Sequence, residues 1–460
     1  MQSKELLTGP NELQVAIFRA KLSDPSALKT HFSYHYSASL ITDGLANGTN
    51  PAYMGVVTGT VAYALTNKYH RMPSVGTCFE VCVSGFALQG GLGQIFRYHG
   101  TAADFIQSMD VVTVGADKKA VRQTISANSE PDLFWGMRGA GGSLGVAIEY
   151  STYAFAVPDN VQSAAYTLAI AIAEEALTWY AGVVPTCPRS VYAAATVIGG
   201  GQPASVFLSF YNLGPQTTAT EASFQALTTY AAPRALNNSQ PGQPYVTQDY
   251  LDFTAADSIG ECDNTTAATY WNTYFTANGT STTGTLPLGI IQATVAQAKA
   301  NPYDTFAIGF AAGPSLPQGK DARYFTPNAW SFRDSYYVFV GDTWDIPAND
   351  ADHISHMKAA SAAIKPYVAG NYINQLMMED PNDAVNSYEA GIFSRLEGVK
   401  AAYDPNNLFR DLHYVHPSAQ RPKDIFHGGI PDALPFAAAD AMAPAPDLAM
   451  SGAEAPQPMQ

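Results

Sequence analysis

Of 460 residues only four are cysteine, Cys78, Cys82, Cys187 and Cys262, too few for a disulfide scaffold. Charge is also scarce: 14% of residues are Asp, Glu, Lys or Arg, and the formal net charge is −15. A phosphate backbone asks for a basic face, so a general nucleic-acid role is excluded. No apolar run is long enough to span a bilayer, and no basic amphipathic stretch marks a membrane surface. The opening MQSKELLTGP lacks an apolar signal core. There is no Walker A motif, no Gly-x-Ser-x-Gly elbow and no GxGxxG fingerprint. His31 and His35 have i, i+4 spacing, but the intervening residues lack the glutamate of a zinc helix and no third ligand offers itself. Beyond Cys78-x-x-x-Cys82 the cysteines show no zinc spacing, and that pair is at most half a site, so no metal site is expected.

What remains is a chain that folds around a large apolar core. Hydrophobic residues make up 47% of it, with 37 glycines, 30 prolines and 26 tyrosines. That length allows two or three domains, and that mixture favours a loop-rich body of helices and sheets over long charged helices. Strand-like patterns are expected at 52–61, 108–114, 147–155, 191–197, 204–211, 288–295, 305–310 and 335–340. Helix-like patterns cover 164–183, 219–230, 351–365 and 387–403. Pro158-Asp159 marks a boundary. Four segments follow: 1–158, a middle α/β domain 159–365, a segment 366–416, and an Ala/Pro-rich tail 417–460 expected to be disordered. Asn47, Asn237, Asn264 and Asn278 each begin an N-x-S/T sequon. With the missing signal core, they leave two locations open: inside the cell, or secretion as a glycoprotein if the true start lies upstream.

Three separated blocks carry the functional signal. Residues 75–93 read VGTCFEVCVSGFALQGGLG, followed by Arg97-Tyr98-His99-Gly100 and Asp104. Residues 132–142 read DLFWGMRGAGG, continued by Gly145 and Val146. Tyr372-Ile373-Asn374 is followed by Arg395-Leu396, Lys400, Tyr403-Asp404-Pro405 and Asn407-Leu408-Phe409. In this order they resemble the berberine-bridge-enzyme-like FAD-linked oxidoreductases of the vanillyl-alcohol-oxidase (PCMH-type FAD-binding) superfamily. The resemblance covers 55–158 and 366–412.

It implies an α+β chain: a PCMH-type FAD-binding fold, an inserted α/β substrate domain, and a C-terminal berberine-bridge-like segment returning to the FAD domain. The implied cofactor is FAD, held by Gly76, Cys78, Gly85, Gly90, Gly91, Gly93, Gly141, Gly142, Gly145, Val146 and Asn374. Glycines let main chain approach a flat ring, and turn N–H groups can meet its carbonyls and phosphate. Cys78 falls where relatives bond the flavin through sulfur. Tyr372, in the Tyr-x-Asn motif, is the expected base that takes a proton while hydride passes to the flavin. The substrate would be an alcohol, carbohydrate or secondary metabolite, with oxygen or another acceptor as partner. Trp271, Trp330, Tyr211, Tyr336 and Tyr337 would line its cleft.

Departures accompany the match. The Gly-Gly-His pyrophosphate loop is not found in 1–50, so the FAD domain reads as incomplete at its front. His31 and His35 only faintly match its histidine. Cys82 stands where glycine is usual, and Gln89 interrupts a run of three glycines. Val114-Gly115-Ala116-Asp117 replaces the usual Ala-Asp-Gly turn. The competing expectation is a non-catalytic remnant that has lost stable flavin binding. Arg333 is expected to pair with Asp334, and His99 to be a turn residue rather than a base.

Overall fold

The computed structural model describes residues 15–19, scattered positions from 58 to 78, and most of 81–417. Within that span 116–118, 201–203, 238–243, 251, 254–267, 304–305, 313–324, 378–381 and 410–414 fall outside the described residues. His31, His35, the 417–460 tail beyond Pro417 and three of the four sequon side chains also lie outside them. The fourth, Asn278, is exposed, and its amide is bonded to Glu389 and Ser335. Among the described residues no helix is long and apolar enough to cross a membrane.

Two antiparallel sheets organise the chain. The first has the order β1 (Val15–Arg19), β5 (Val146–Tyr153), β3 (Ile106–Val114), β4 (Ala120–Ser126). A two-stranded ribbon, β2 (Arg71–Met72) with β6 (Phe155–Ala156), leads out of it. Against this sheet pack α1 (Val83–Leu88), α2 (Pro131–Leu144) and α7 (Ala390–Tyr403). The chain beyond residue 390 therefore returns to the first sheet.

The second sheet has nine strands. Its order is β10 (Ala235–Asn237), β7 (Val161–Ala169), β9 (Ser205–Asn212), β8 (Val191–Ile198), β13 (Ala307–Ala312), β14 (Tyr336–Trp344), β12 (Ala268–Phe275), β15 (Gly370–Asn371), with β11 (Val246–Gln248) also on β7. Helices α3 (Ala173–Val183), α4 (Thr218–Ala231), α5 (Leu288–Ala300) and α6 (Asp350–Ile364) supply its packing partners. The strands alternate accordingly. In β8, Ala193, Ala195 and Val197 are fully buried in the main core with Leu177, Phe224, Ile290 and Met357, while Tyr192, Ala194, Thr196 and Ile198 are half-exposed on the other face. Among the described residues the expected α/β middle domain shows no parallel crossover; every pairing recorded in its sheet is antiparallel.

Three local expectations are corrected. Residues 164–169, expected to begin a helix, lie in the strand Val161–Ala169, because neighbours on both sides reward the alternation of Ala164, Tyr166 and Leu168 over alanine's helix propensity. Residues 288–300 form a helix, although Ile and Val gave 288–295 a strand-like look. Buried Ile290, Ile291, Thr294, Val295 and Ala298 follow helical spacing. At 58–62 the described positions are helical, not extended. Strands β4 and β12 carry polar and aromatic residues without a clean apolar alternation, and the sequence reading assigned neither.

The C-terminal segment is riveted by one buried ion pair. On α7 the Lys400 ammonium donates to Asp404 (2.7 Å), the Ser143 carbonyl (2.5 Å) and the Phe409 carbonyl (2.6 Å). Both charged side chains are fully buried. Asp404 also accepts the backbone N–H groups of Leu408 and Phe409. Removing one partner would strand the other charge. Lys400→Met should therefore cost about 3–5 kcal/mol in urea unfolding; a loss under about 1 kcal/mol, as for an exposed pair, would show that the rivet is not structural.

Candidate functional site

The glycine-rich segment, the middle of α2 and the Tyr-x-Asn turn are far apart in sequence and meet between the sheets. Tyr372 follows the short edge strand β15, and its N–H donates to the Thr273 carbonyl of β12 (2.8 Å). A tight turn returns the Gln375 N–H to the Tyr372 carbonyl (3.0 Å). The Tyr372 hydroxyl then accepts the Leu92 N–H (3.1 Å) and the Asn374 amide (3.1 Å). Asn374 Nδ2 reaches the carbonyls of Phe86 (3.1 Å) and Gln89 (3.4 Å) at the end of α1.

Helix α2 joins through its kink, where Arg138, Gly139 and Ala140 leave helical geometry. Gly139 sits at φ 149°, and a Cβ there would lie 2.6 Å from the Trp330 N. Trp330 also presses on Gly90, at φ +106°, where a Cβ would lie 2.3 Å from its ring. Tyr388 donates to the Gly139 carbonyl (2.8 Å).

Most of the glycines expected to hold the cofactor are explained first by protein contacts. A Cβ would strike Ala102 and Phe86 at Gly91, Leu88 at Gly141, and the Val112 carbonyl at Gly145, and would press on Phe86 at Gly76. Gly93 is buried, its carbonyl accepting the Phe96 N–H, and Val146 is buried at the start of β5. Gly85 on α1 and Gly142 on α2 are half-buried.

Two expected roles change. Tyr372 is 3% exposed, and burial pushes its phenol above the usual value despite the N–H groups donating to it. A phenol held neutral in this way is a poor base, and its hydroxyl serves to hold Leu92 and Asn374. Cys78 is in a disulfide, so it has no thiolate to attack a flavin ring. Cys82, half-buried at the N-terminus of α1, is not in a disulfide.

Arg333 does not pair with Asp334. It reaches across to Asp104 with both terminal nitrogens (2.6 and 3.0 Å). Asp104 also accepts Asn328 Nδ2 (2.7 Å) and the Thr101 N–H (2.8 Å). Burial alone would raise this carboxyl, but the Arg333 charge and these donors outweigh it and hold it below the usual range. Arg138, 1% exposed, donates to the carbonyls of Phe134, Ala103, Thr326 and Pro327. Burial pulls its guanidinium down to about 9, so it stays charged at neutral pH. His99 stacks on Phe155 at 3.9 Å between ring centres, a packing role.

Of the aromatics expected to line a cleft, Tyr336 faces the helices and Tyr211 stacks on Tyr192. Trp330 packs with Phe275, Phe332 and Tyr372. Trp271 and Tyr337 lie on the face of the second sheet away from the helices, with Phe339 5.4 Å from Trp271. Sequence reasoning missed Gln375, whose Oε1 accepts the Tyr337 hydroxyl (2.8 Å) and Thr273 Oγ1 (2.9 Å). Its place one residue after the Tyr-x-Asn motif was the available signal.

The residues fit a flat, carbonyl-bearing cofactor. Half-buried Gly85, Gly142 and Leu92 surround the junction, and the buried Gln89 Oε1 beside it has no partner. Residues 371–414 match the family profile described as berberine and berberine-like. The chain is similar to the berberine-bridge-like, PCMH-type FAD-linked oxidoreductases.

Chitooligosaccharide oxidase of Gibberella zeae is 27% identical over 423 residues, covering 84% of this chain and 77% of that protein. FAD-linked oxidoreductase dpmaF of Metarhizium anisopliae is 24% identical over 410 residues, covering 81% and 73%. Among solved structures, Physcomitrella patens BBE-like 1 superposes with a TM-score of 0.64 at 19% identity, covering 80% of this chain and 77% of that one. The PCMH-type fold and an FAD-dependent oxidoreductase activity follow, with FAD as cofactor.

In this oxidoreductase Tyr372→Phe strands the Leu92 N–H and removes one of the acceptors of Asn374. A stability loss of about 1–3 kcal/mol is expected, with FAD released more readily. Unchanged unfolding and unchanged FAD retention would remove the holding role. The Asp104 carboxyl, depressed when folded, contributes stability above its unfolded value of about 4 and loses it as pH falls through the folded value. Asp104→Asn should lower stability at pH 6 and flatten its decline towards about pH 3; an unflattened decline in urea titrations would refute this.

Proposed function

We propose that this enzyme oxidises a hydroxyl of a sugar-like substrate lying along the open face of the second sheet, with oxygen as the final electron acceptor. The observation that carries the proposal is a pair of glycines under two aromatic rings. A Cβ at Gly309 would lie 1.9 Å from the Phe339 ring, and one at Gly341 would lie 2.8 Å from the Trp271 ring. The rings therefore press directly onto backbone, beside small half-exposed residues such as Ala194 and Thr196. An apolar platform with a few polar groups at its end suits flat, hydroxyl-bearing rings. The polar end is Tyr337 with Gln375, adjoining the Tyr372 turn. The name of the Gibberella zeae relative, a chitooligosaccharide oxidase, agrees with this substrate class.

When bound, FAD supplies the hydride acceptor. The chain's own residues orient the substrate and take its proton. Gln375 holds the carbinol hydroxyl, and Tyr337, once it has lost its own phenolic proton to solvent, accepts the carbinol proton as phenolate while the carbon–hydrogen bond breaks to leave a carbonyl. Two electrons and two protons leave the substrate and reduce oxygen to hydrogen peroxide. Tyr337 is half-buried, which leaves its oxygen accessible where that of Tyr372 is not.

Peroxide release from chito-, xylo- and gluco-oligosaccharides, measured on purified yellow protein, tests the class; no release from any sugar or simple alcohol would refute it. Tyr337→Phe should lower kcat about 10²-fold or more while FAD stays bound. Gly341→Val should displace the Trp271 ring and raise KM about tenfold, the scale of about 1.4 kcal/mol in binding. An unchanged KM would remove the platform from the proposal.

A further inference from the structure

Gln89 ends α1 at a position where the resemblance puts glycine. It is 1% exposed, and its side-chain oxygen Oε1 is buried without a hydrogen-bond partner. Buried amide oxygens in folded proteins are almost always satisfied, and stranding one costs more than an ordinary hydrogen bond gains. Gln89 lies three residues after Phe86, so the two share a side of the helix. The Phe86 ring presses on Gly76 and Gly91, where an added Cβ would lie 3.2 and 3.0 Å from it. Asn374 clasps the carbonyls of both Phe86 and Gln89. The stranded acceptor therefore belongs to the junction of the three segments that fit the cofactor.

The isoalloxazine ring of oxidised FAD has one N–H, the imide nitrogen between its two carbonyls. We propose that Gln89 Oε1 accepts the hydrogen bond of this imide N–H. A glutamine here gives the chain a specific acceptor for the ring edge that a glycine could not supply through its side chain. This inference rests on the FAD assignment. It concerns recognition of the cofactor and adds no redox step.

The test removes the donor and the acceptor separately. Full-length protein from riboflavin-starved cells is offered an equal mixture of FAD and 3-methyl-FAD, in which a methyl group replaces the imide hydrogen. The bound flavins are then released, by digestion if attached, and counted by mass spectrometry. Wild-type protein should take FAD over 3-methyl-FAD by about tenfold, the scale of one neutral hydrogen bond. Gln89→Met, close in length but without the acceptor, should bring that preference within about twofold. Gln89→Gly should do the same, and it provides the reading if the methionine variant fails to fold. A preference unchanged in the variants, or absent from the wild type, overturns the role of Gln89 while leaving FAD binding intact. Wild-type protein that takes up neither flavin overturns the FAD assignment and this inference with it.

Discussion

The Asp104 carboxylate holds the two sheets in the relation on which the rest depends. It sits at the turn before β3, wholly buried, and takes donors from Thr101 on its own side and from Asn328 and Arg333 on the other. The segment from 325 to 333 is thereby fixed against the first sheet. That segment carries Trp330, whose ring presses on Gly90, whose backbone N meets Gly139, and which packs with Phe275 and Tyr372. An isolated buried carboxylate would be strongly unfavourable, and removing Arg333 would leave one. The ion pair thus sets the register of the junction, whatever its net contribution to stability.

Two other buried arginines act differently. Arg97 and Arg138 give their guanidinium donors to backbone carbonyls. Arg97 reaches those of Val184, Cys187, Pro188 and Val191, joining the first lobe to the loop before β8. Arg138 reaches Thr326 and Pro327 from the kink of α2. Carbonyls at chain turns are otherwise left over when elements end, and a planar five-donor fork can satisfy several at once. Burial lowers both guanidinium values, a cost these loops offset by supplying oxygen on several sides. Carbonyls of these loops that would otherwise need water are satisfied by arginine.

The parts readable from sequence were those with local chemistry. Glycine runs at 90–93 and 139–145 marked backbone in close contact. Alternation at 191–197 and 335–340 marked strands, and the Lys400, Asp404 and Asn407 pattern marked the terminal segment, though not the ion pair within it. What escaped depends on partners far away in sequence. Arg333 finds Asp104 across 229 positions rather than its neighbour Asp334. The stretch 164–169 looks helical until β9 and β10 pair with it. Cys78 carried the sequence pattern of an attachment site, yet its disulfide is a property of chain geometry. Tyr372 showed the right residue type for a base, and only its burial tells that its hydroxyl is occupied in holding Leu92 and Asn374.

The same comparison separates two kinds of glycine in a cofactor motif. At Gly90, Gly91, Gly139, Gly141 and Gly145 the space a side chain would need is filled by other parts of the protein. These glycines build the cradle by letting α1, α2 and the Trp330 segment close on one another. They would be required even if nothing were bound. At Gly85 and Gly142 the backbone is half-buried, which leaves it available to a ligand. A motif that resembles a binding site can thus be mostly assembly chemistry, with binding concentrated at the few positions that packing does not use. Gln89 points to binding by a different route, since its side chain is enclosed by the fold and its oxygen is left without a donor. Buried polar atoms without partners occur elsewhere in the fold as well, so it is the place of Gln89, against the carbonyls that Asn374 clasps, that connects its oxygen to what the site receives.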